Sequence, residues 1–293
     1  MNEFPVFIPH GNEHLAAVLT VPPTEPRGLV LLLTGIGAPR SHRYQMWTRT
    51  ARSLAEVGLA SARVDYLGMG DSTGTLRSWS RDSPPVDQAL TVVRFSQQAL
   101  GVRRVAAVGN CGGSLAALGV AAAIPECVGA ALILMPVFEP TRAKKALLVA
   151  GRSRAMRRLR QSAVARRVLV RPLSRLGRKP SSGLQESLSR ALGHGRLLLL
   201  YGRDDDFDDR AEAQLNRLVA RLPSEARRGF ELRVLPHDRL SGFDSLATQR
   251  GVTDAVVGWL GGLFDRAQGA AERPVQAVGL PGAAPGLPGA ARA

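Results

Sequence analysis

The chain opens with two segments that read as strands, Phe4–Ile8 and His14–Pro22, on either side of His-Gly-Asn-Glu, and the pattern predicts an antiparallel hairpin. Arg27–Gly35 follows as a continuous apolar run, which predicts a strand covered on both faces. Trp47, Ala51, Leu54 and Ala55 then recur at helical spacing, with Gly58 as the stop. Leu59–Tyr66 is the next expected strand and ends in the turn LGMGDSTG; Val86, Ala89, Leu90 and Val93 mark a helix led in by Pro84-Pro85. Arg104–Gly109 reads as a strand, Gly112–Ala123 as a helix of small residues, and Cys127–Met135 as a strand. Further on, Arg196–Tyr201 and Phe230–Leu235 are strands separated by a helix through Leu215, Leu218 and Leu222. Val252, Val256, Trp259, Leu260 and Leu263 form the stripe of a final helix. Strand and helix alternate throughout, so the fold class is α/β: a mostly parallel sheet with helices on both faces.

Charge changes this picture in one place. The formal net charge is +15, yet Arg142–Lys179 alone holds fourteen Arg and Lys with no Asp or Glu, leaving the remainder nearly neutral. That distribution describes a neutral body with one basic insert rather than a nucleic-acid-binding protein. Leu147, Leu148, Ala155 and Leu159, then Val164, Val168, Leu169 and Leu173, predict amphipathic helices within the insert. From about Gln268 the chain is Ala, Gly and Pro, too poor in apolar bulk to repay ordering, and disorder is expected there. No apolar run approaches the ~20 residues of a membrane span. Met1–His10 lacks the pattern of a secretory signal, and the spacing of the two cysteines demands no disulfide, so a cytoplasmic setting is expected.

The chemistry concentrates at Gly109-Asn110-Cys111-Gly112-Gly113, between a predicted strand and a predicted helix. A nucleophile held on so sharp a turn needs small neighbours, which Gly109 and Gly113 supply; the N-terminus of the helix that follows favours a thiolate. Cys127 opens an apolar strand and reads as core. The elbow, together with Leu33-Thr34-Gly35-Ile36 and Asp65-Tyr66-Leu67-Gly68-Met69-Gly70-Asp71-Ser72, resembles the α/β-hydrolase superfamily over about Phe4–Asp265. That resemblance implies one hydrolase domain over 1–267, a helical basic lid inserted at 140–195 and a tail at 268–293. It also implies oxyanion donors at the N–H groups of Gly112 and Ile36, and a general base at His237, after the last strand. In the usual pattern the histidine aligns with Arg239, two residues later. The acid is Asp205, in Gly-Arg-Asp-Asp after the preceding strand, or Glu139, after the strand that follows the elbow helix. The Asp65–Ser72 stretch reads as a structural turn. No cofactor is expected, since the acidic cluster around Asp206 has no His or Cys partner for a metal.

A cysteine nucleophile suits thioesters and activated esters, because exchange of one thioester for another costs little while attack on an amide is uphill. Among families with a similar elbow are dienelactone-hydrolase-like enzymes and the thioesterases and Dieckmann cyclases that release carrier-bound chains through a Cys-His-Asp triad. The expectation is therefore release of a carrier-bound acyl chain, by cyclisation or hydrolysis. The basic lid would draw an acidic acyl or peptidyl carrier protein or its phosphopantetheine-linked thioester; coenzyme A or an anionic membrane surface would suit the same charge. Two alternatives stay open: a small-ester hydrolase, and a non-catalytic binding protein on a decayed scaffold.

Overall fold

A computed structural model describes residues 1–35, 37–75, 83–139, 179–180, 183–203, 205, 209–236, 240 and 242–268. The alternation read from the sequence becomes an eight-stranded sheet in the order β1-β2-β4-β3-β5-β6-β9-β10. Its strands are β1 (Asn2–His10), β2 (Glu13–Val21), β3 (Leu29–Leu33), β4 (Ala60–Val64), β5 (Val105–Asn110), β6 (Cys127–Ile133), β9 (Arg196–Gly202) and β10 (Phe230–Leu235). The expected hairpin is present, with Phe7 opposite Ala16, and β2 continues antiparallel onto β4. From β4 to β10 every neighbouring pair is parallel. This is the α/β-hydrolase fold. A two-residue pair, β7 (Phe138–Glu139) with β8 (Lys179–Pro180), stands apart from the sheet.

The five residues of β3 and of β4 are all buried, as a strand covered on both faces requires. On one face Leu29, Leu31 and Leu33 pack in a cluster with residues of α2 (Val86–Leu100), α3 (Gly112–Ala123), α4 (Leu184–Leu192) and α5 (Asp209–Ala220). On the other, Val30 and Leu32 pack with Trp47, Ala51 and Leu54 of α1 (Met46–Glu56) and with Val256, Leu260 and Phe264 of α7 (Leu246–Gln268). A short α6 (Ser224–Arg228) leads into β10. Within the segment 140–195, α4 buries Leu184, Leu188, Ala191 and Leu192 in the first cluster, so its side chains are part of the body. The basic insert lies outside the described residues but for Lys179 and Pro180, and so does the tail from 269. Among the described residues no helix is long and apolar enough to cross a membrane.

In a parallel sheet all strands leave at the same edge, where α/β proteins carry their sites. Strain gathers there. Among the described residues, His42, Tyr44, Gln45, Cys111, Leu134 and Phe243 are the non-glycines with positive φ. Each follows the carboxyl end of a parallel strand: β3, β5, β6 or β10. A non-glycine in this region costs on the order of 1–3 kcal/mol and persists where the surroundings over-determine it.

Candidate active site

Cys111 caps α3 with φ 50° and ψ −118°, a conformation that turns the chain from β5 straight into the helix. Close packing enforces the turn. A Cβ at Gly113 would lie 2.5 Å from the carbonyl oxygen of Thr34, and one at Gly109 would overlap the Gly113 carbonyl. The Cys111 N–H donates to Ile133 O at 2.8 Å, and Ser114 Oγ donates to the Cys111 carbonyl. These contacts hold a strained residue in place while its side chain stays exposed.

Gly35, after β3, lies directly beside this elbow. A Cβ built on it would stand 3.5 Å from Cys111 Cβ and 3.7 Å from Gly112 N. Glycine therefore keeps side-chain bulk out of the contact between this loop and the head of α3. The Gly35 N–H itself donates to Asn110 Oδ1 at 3.2 Å, and Thr34 Oγ1 donates to Ala38 O at 3.1 Å. Farther along the same loop, the Arg40 N–H and guanidinium both bind the buried carboxylate of Asp65, and Arg40 also reaches Asp71 Oδ2 at 2.7 Å. The Asp65–Ser72 turn is thus structural, and what it holds is the loop that borders Cys111.

Asp205 follows the end of β9. Asp205 Oδ2 accepts from Gly202 N–H at 2.7 Å and from Leu240 N–H at 2.9 Å. The Arg203 guanidinium donates to Pro236 O at 3.0 Å. The turn after β9 therefore holds both Pro236 and Leu240. Leu240 is itself buried in the cluster that contains Phe243 and Trp47. Tyr201 Oη donates to Met135 O at 2.6 Å and ties the β9 exit to the β6 exit; burial, and secondarily the charge of Asp205, push this phenol well above its usual range.

The family described as serine aminopeptidase, S33, matches residues 24–191. The chain belongs to that family. Solved structures with the same fold include a thermostable carboxyl esterase from Bacillus coagulans: TM-score 0.64, 16% identity, 90% of this chain and 99% of that one. Others are a Pyrococcus furiosus esterase (TM-score 0.60, 16% identity, 90% of each chain) and a Mycobacterium smegmatis proline iminopeptidase. The latter gives a TM-score of 0.59 at 14% identity, over 90% of this chain and 100% of that one. No curated protein matches the chain. The protein is an α/β hydrolase, and this member of the serine aminopeptidase family carries Cys111 at its elbow.

Of the residues singled out in the sequence, Cys111 and Gly112 stand together at the head of α3, and Asp205 stands two strands away at the end of β9, bonded to the Leu240 N–H. Glu139 lies past the end of β6, paired through its backbone with Lys179. Ile36 and His237 lie outside the described residues. Cys127 is buried, its thiol pushed up to about 12 by burial despite backbone hydrogen bonds with Gly129 and Ala107. His194 binds Ala121 O at 2.7 Å and lines a shallow cavity of about 310 Å³ with Arg196 and Arg266, at the opposite edge of the sheet from Cys111. The sequence pattern did not point to the hydrogen bonds that Asn110, Gly35, Arg203 and His42 make here. Asn110 carried one signal: a lone amide ending an otherwise apolar strand, next to Cys111.

Proposed function

We propose that this α/β hydrolase performs acyl transfer on thioesters or activated esters through Cys111, releasing a carrier-bound acyl chain. The observation that carries the reading is the exposed thiol at the head of α3, on an elbow whose strain is fixed by Gly109 and Gly113. The Cys111 thiolate attacks the acyl carbonyl carbon, and the Gly112 N–H, with a donor from the 35–37 loop, stabilises the oxyanion. As the tetrahedral species collapses, the bond to the leaving sulfur or oxygen breaks and His237 supplies its proton. Water or an internal carbanion then releases the chain from Cys111. Asp205 serves as the acid; its hold on Leu240 N–H beside the His237 segment supports it over Glu139. The family takes its name from a serine enzyme acting on peptides. Thiolate attack on an amide is uphill, so the cysteine argues for thioesters here.

The uncompensated charge of Arg142–Lys179 supports an acidic carrier as donor, with the insert as a lid. The test uses one acyl group on two donors, a carrier-bound pantetheine and a short pantetheine mimic, and follows intact protein mass. Wild type is expected to gain the acyl mass and Cys111→Ala to gain none. Reversing Arg157, Arg158 and Arg160 to Glu is expected to slow acylation from the carrier and leave the mimic nearly untouched. Equal rates with both donors in wild type would favour a small-ester hydrolase, the reading closest to the esterases that share this fold.

A further inference from the structure

A chain of buried hydrogen bonds runs behind the nucleophile. Gly35 N–H lies 3.2 Å from Asn110 Oδ1, and Asn110 Nδ2 lies 3.0 Å from His42 Nε2. The direction of each bond follows from its first member. A backbone N–H can only donate, so Asn110 presents its oxygen to Gly35 and its NH₂ to His42. That NH₂ can only donate in turn, so His42 Nε2 accepts, and the ring is neutral with its proton on Nδ1. The ring is only 7% exposed, edge-on to Phe243 at 5.1 Å and tilted against Trp47 at 5.7 Å. Phe243 and Trp47 belong to the cluster between α1, α7 and the sheet, so His42 has a rigid seat.

Resting on the reading of Cys111 as nucleophile, we infer that His42 is a positioning residue for acyl transfer. By accepting from Asn110 it fixes the amide that holds Gly35, and with it the start of the loop facing the Gly112 N–H. The alternative use of this histidine, as the base itself, conflicts with the geometry: Nε2 is committed to Asn110 and the ring is packed between aromatics. Its surroundings keep it an acceptor. Burial pushes its pKa down to about 4; the Arg43 backbone opposes the shift and the Arg43 charge adds to it. Without this backstop the Asn110 amide would be held by the Gly35 N–H alone. Gly35 would then have a looser partner where sub-ångström placement matters for an oxyanion.

The experiment compares wild type with His42→Phe, which keeps a ring between Trp47 and Phe243 without an acceptor, and His42→Gln, whose side-chain oxygen can accept. Acetylation of Cys111 by p-nitrophenyl acetate is followed by nitrophenolate release and by mass, with folding checked by circular dichroism. His42→Phe is expected to lower the maximal acylation rate roughly tenfold or more, the scale of a misplaced oxyanion donor, with half-saturation changed less than about threefold. His42→Gln is expected to recover most of that loss. A folded His42→Phe that acylates at the wild-type rate overturns the inference, as does a His42→Gln no better than His42→Phe. Nitrogen-15 NMR of the wild-type imidazole needs no variant: Nε2 is expected to stay unprotonated from pH 5 to 8, and a proton found there overturns the inference. A wild type whose Cys111 takes up no acetyl overturns the acyl-transfer reading, and the role of His42 falls with it; a wild type that acylates while His42→Phe keeps pace overturns the role of His42 alone.

Discussion

Cys111 and Cys127 stand at opposite ends of the same pair of strands. Cys127 begins β6 opposite Val105, the first residue of β5, while Cys111 follows the last residue of β5 and donates its N–H to Ile133, the last of β6. At the amino end the thiol is buried, donates weakly to Gly129 O at 3.4 Å and is pushed up to about 12. At the carboxyl end the thiol is exposed, at the head of a helix, in a conformation that a cysteine adopts only under constraint. One residue type thus has two fates within a single strand length. The difference lies in which edge of a parallel sheet gathers loops, helix N-termini and strained backbone, and which edge packs shut.

The contrast predicts its largest effect in alkylation. With iodoacetamide at pH 7, Cys111 is expected to react at least ~10³-fold faster than Cys127, because a thiol shifted to about 12 is thiolate in roughly one molecule in 10⁵ at that pH. Native protein should show one adduct by mass and a second only after denaturation; two adducts in native protein would break the comparison. Next in size is the effect at Asp205, the proposed acid. Asp205→Asn is expected to slow acylation roughly 10²-fold or more, and Glu139→Gln by less than about threefold. The opposite ranking would move the acid to the β6 exit.

Stability should respond to pH in opposite directions at the two edges. The folded-state pKa of His42 lies at about 4 against 6.5 for the free side chain, so the unfolded chain takes up the proton first. Stability is then lost as pH falls from 6.5 to 4, by about 3 kcal/mol in all. Cys127 does the reverse. Its thiol is held above the ordinary 9, so its contribution is present below pH 9 and is lost as pH climbs toward 12. Urea midpoints for wild type, His42→Phe and Cys127→Ala check both signs, since each variant should lack its own limb. The smallest expected effect is that of Cys127→Ala at neutral pH: about 1 kcal/mol of stability, with acylation unchanged.

Most of the fold was legible in the sequence because periodicity is a local property. Gly112–Ala123 forms a helix with the expected bounds, and Phe230–Leu235 is a strand with the expected bounds. Leu184–Leu192 escaped notice within a segment read by its charge, although Leu184, Leu188 and Leu192 repeat at helical spacing; their burial against α3 is a property of the assembled body. At the site, Cys111 was legible because its signal, small residues two positions to either side, lies within five residues of chain. The partners that fix it were not. Asn110 meets His42 across 68 positions and Gly35 across 75, and neither pairing leaves a trace in local pattern.

By itself, then, the sequence determined the alternation of strands and helices, the burial of β3 on both faces, and the place of Cys111 on a strand-to-helix turn. Each of these follows from neighbours a few residues apart, through side-chain period and backbone sterics. The tertiary structure alone decided the strand order, which puts β3 between β4 and β5 and so brings Gly35 against Gly112. It also decided that Asp205 anchors Leu240, 35 residues onward, and that buried His42 meets the Asn110 side chain through Nε2. Hydrogen bonds of this range are chosen by packing: a buried polar group must find a partner among whatever the closed core brings within 3 Å of it, and the chain's local pattern does not encode which group that is.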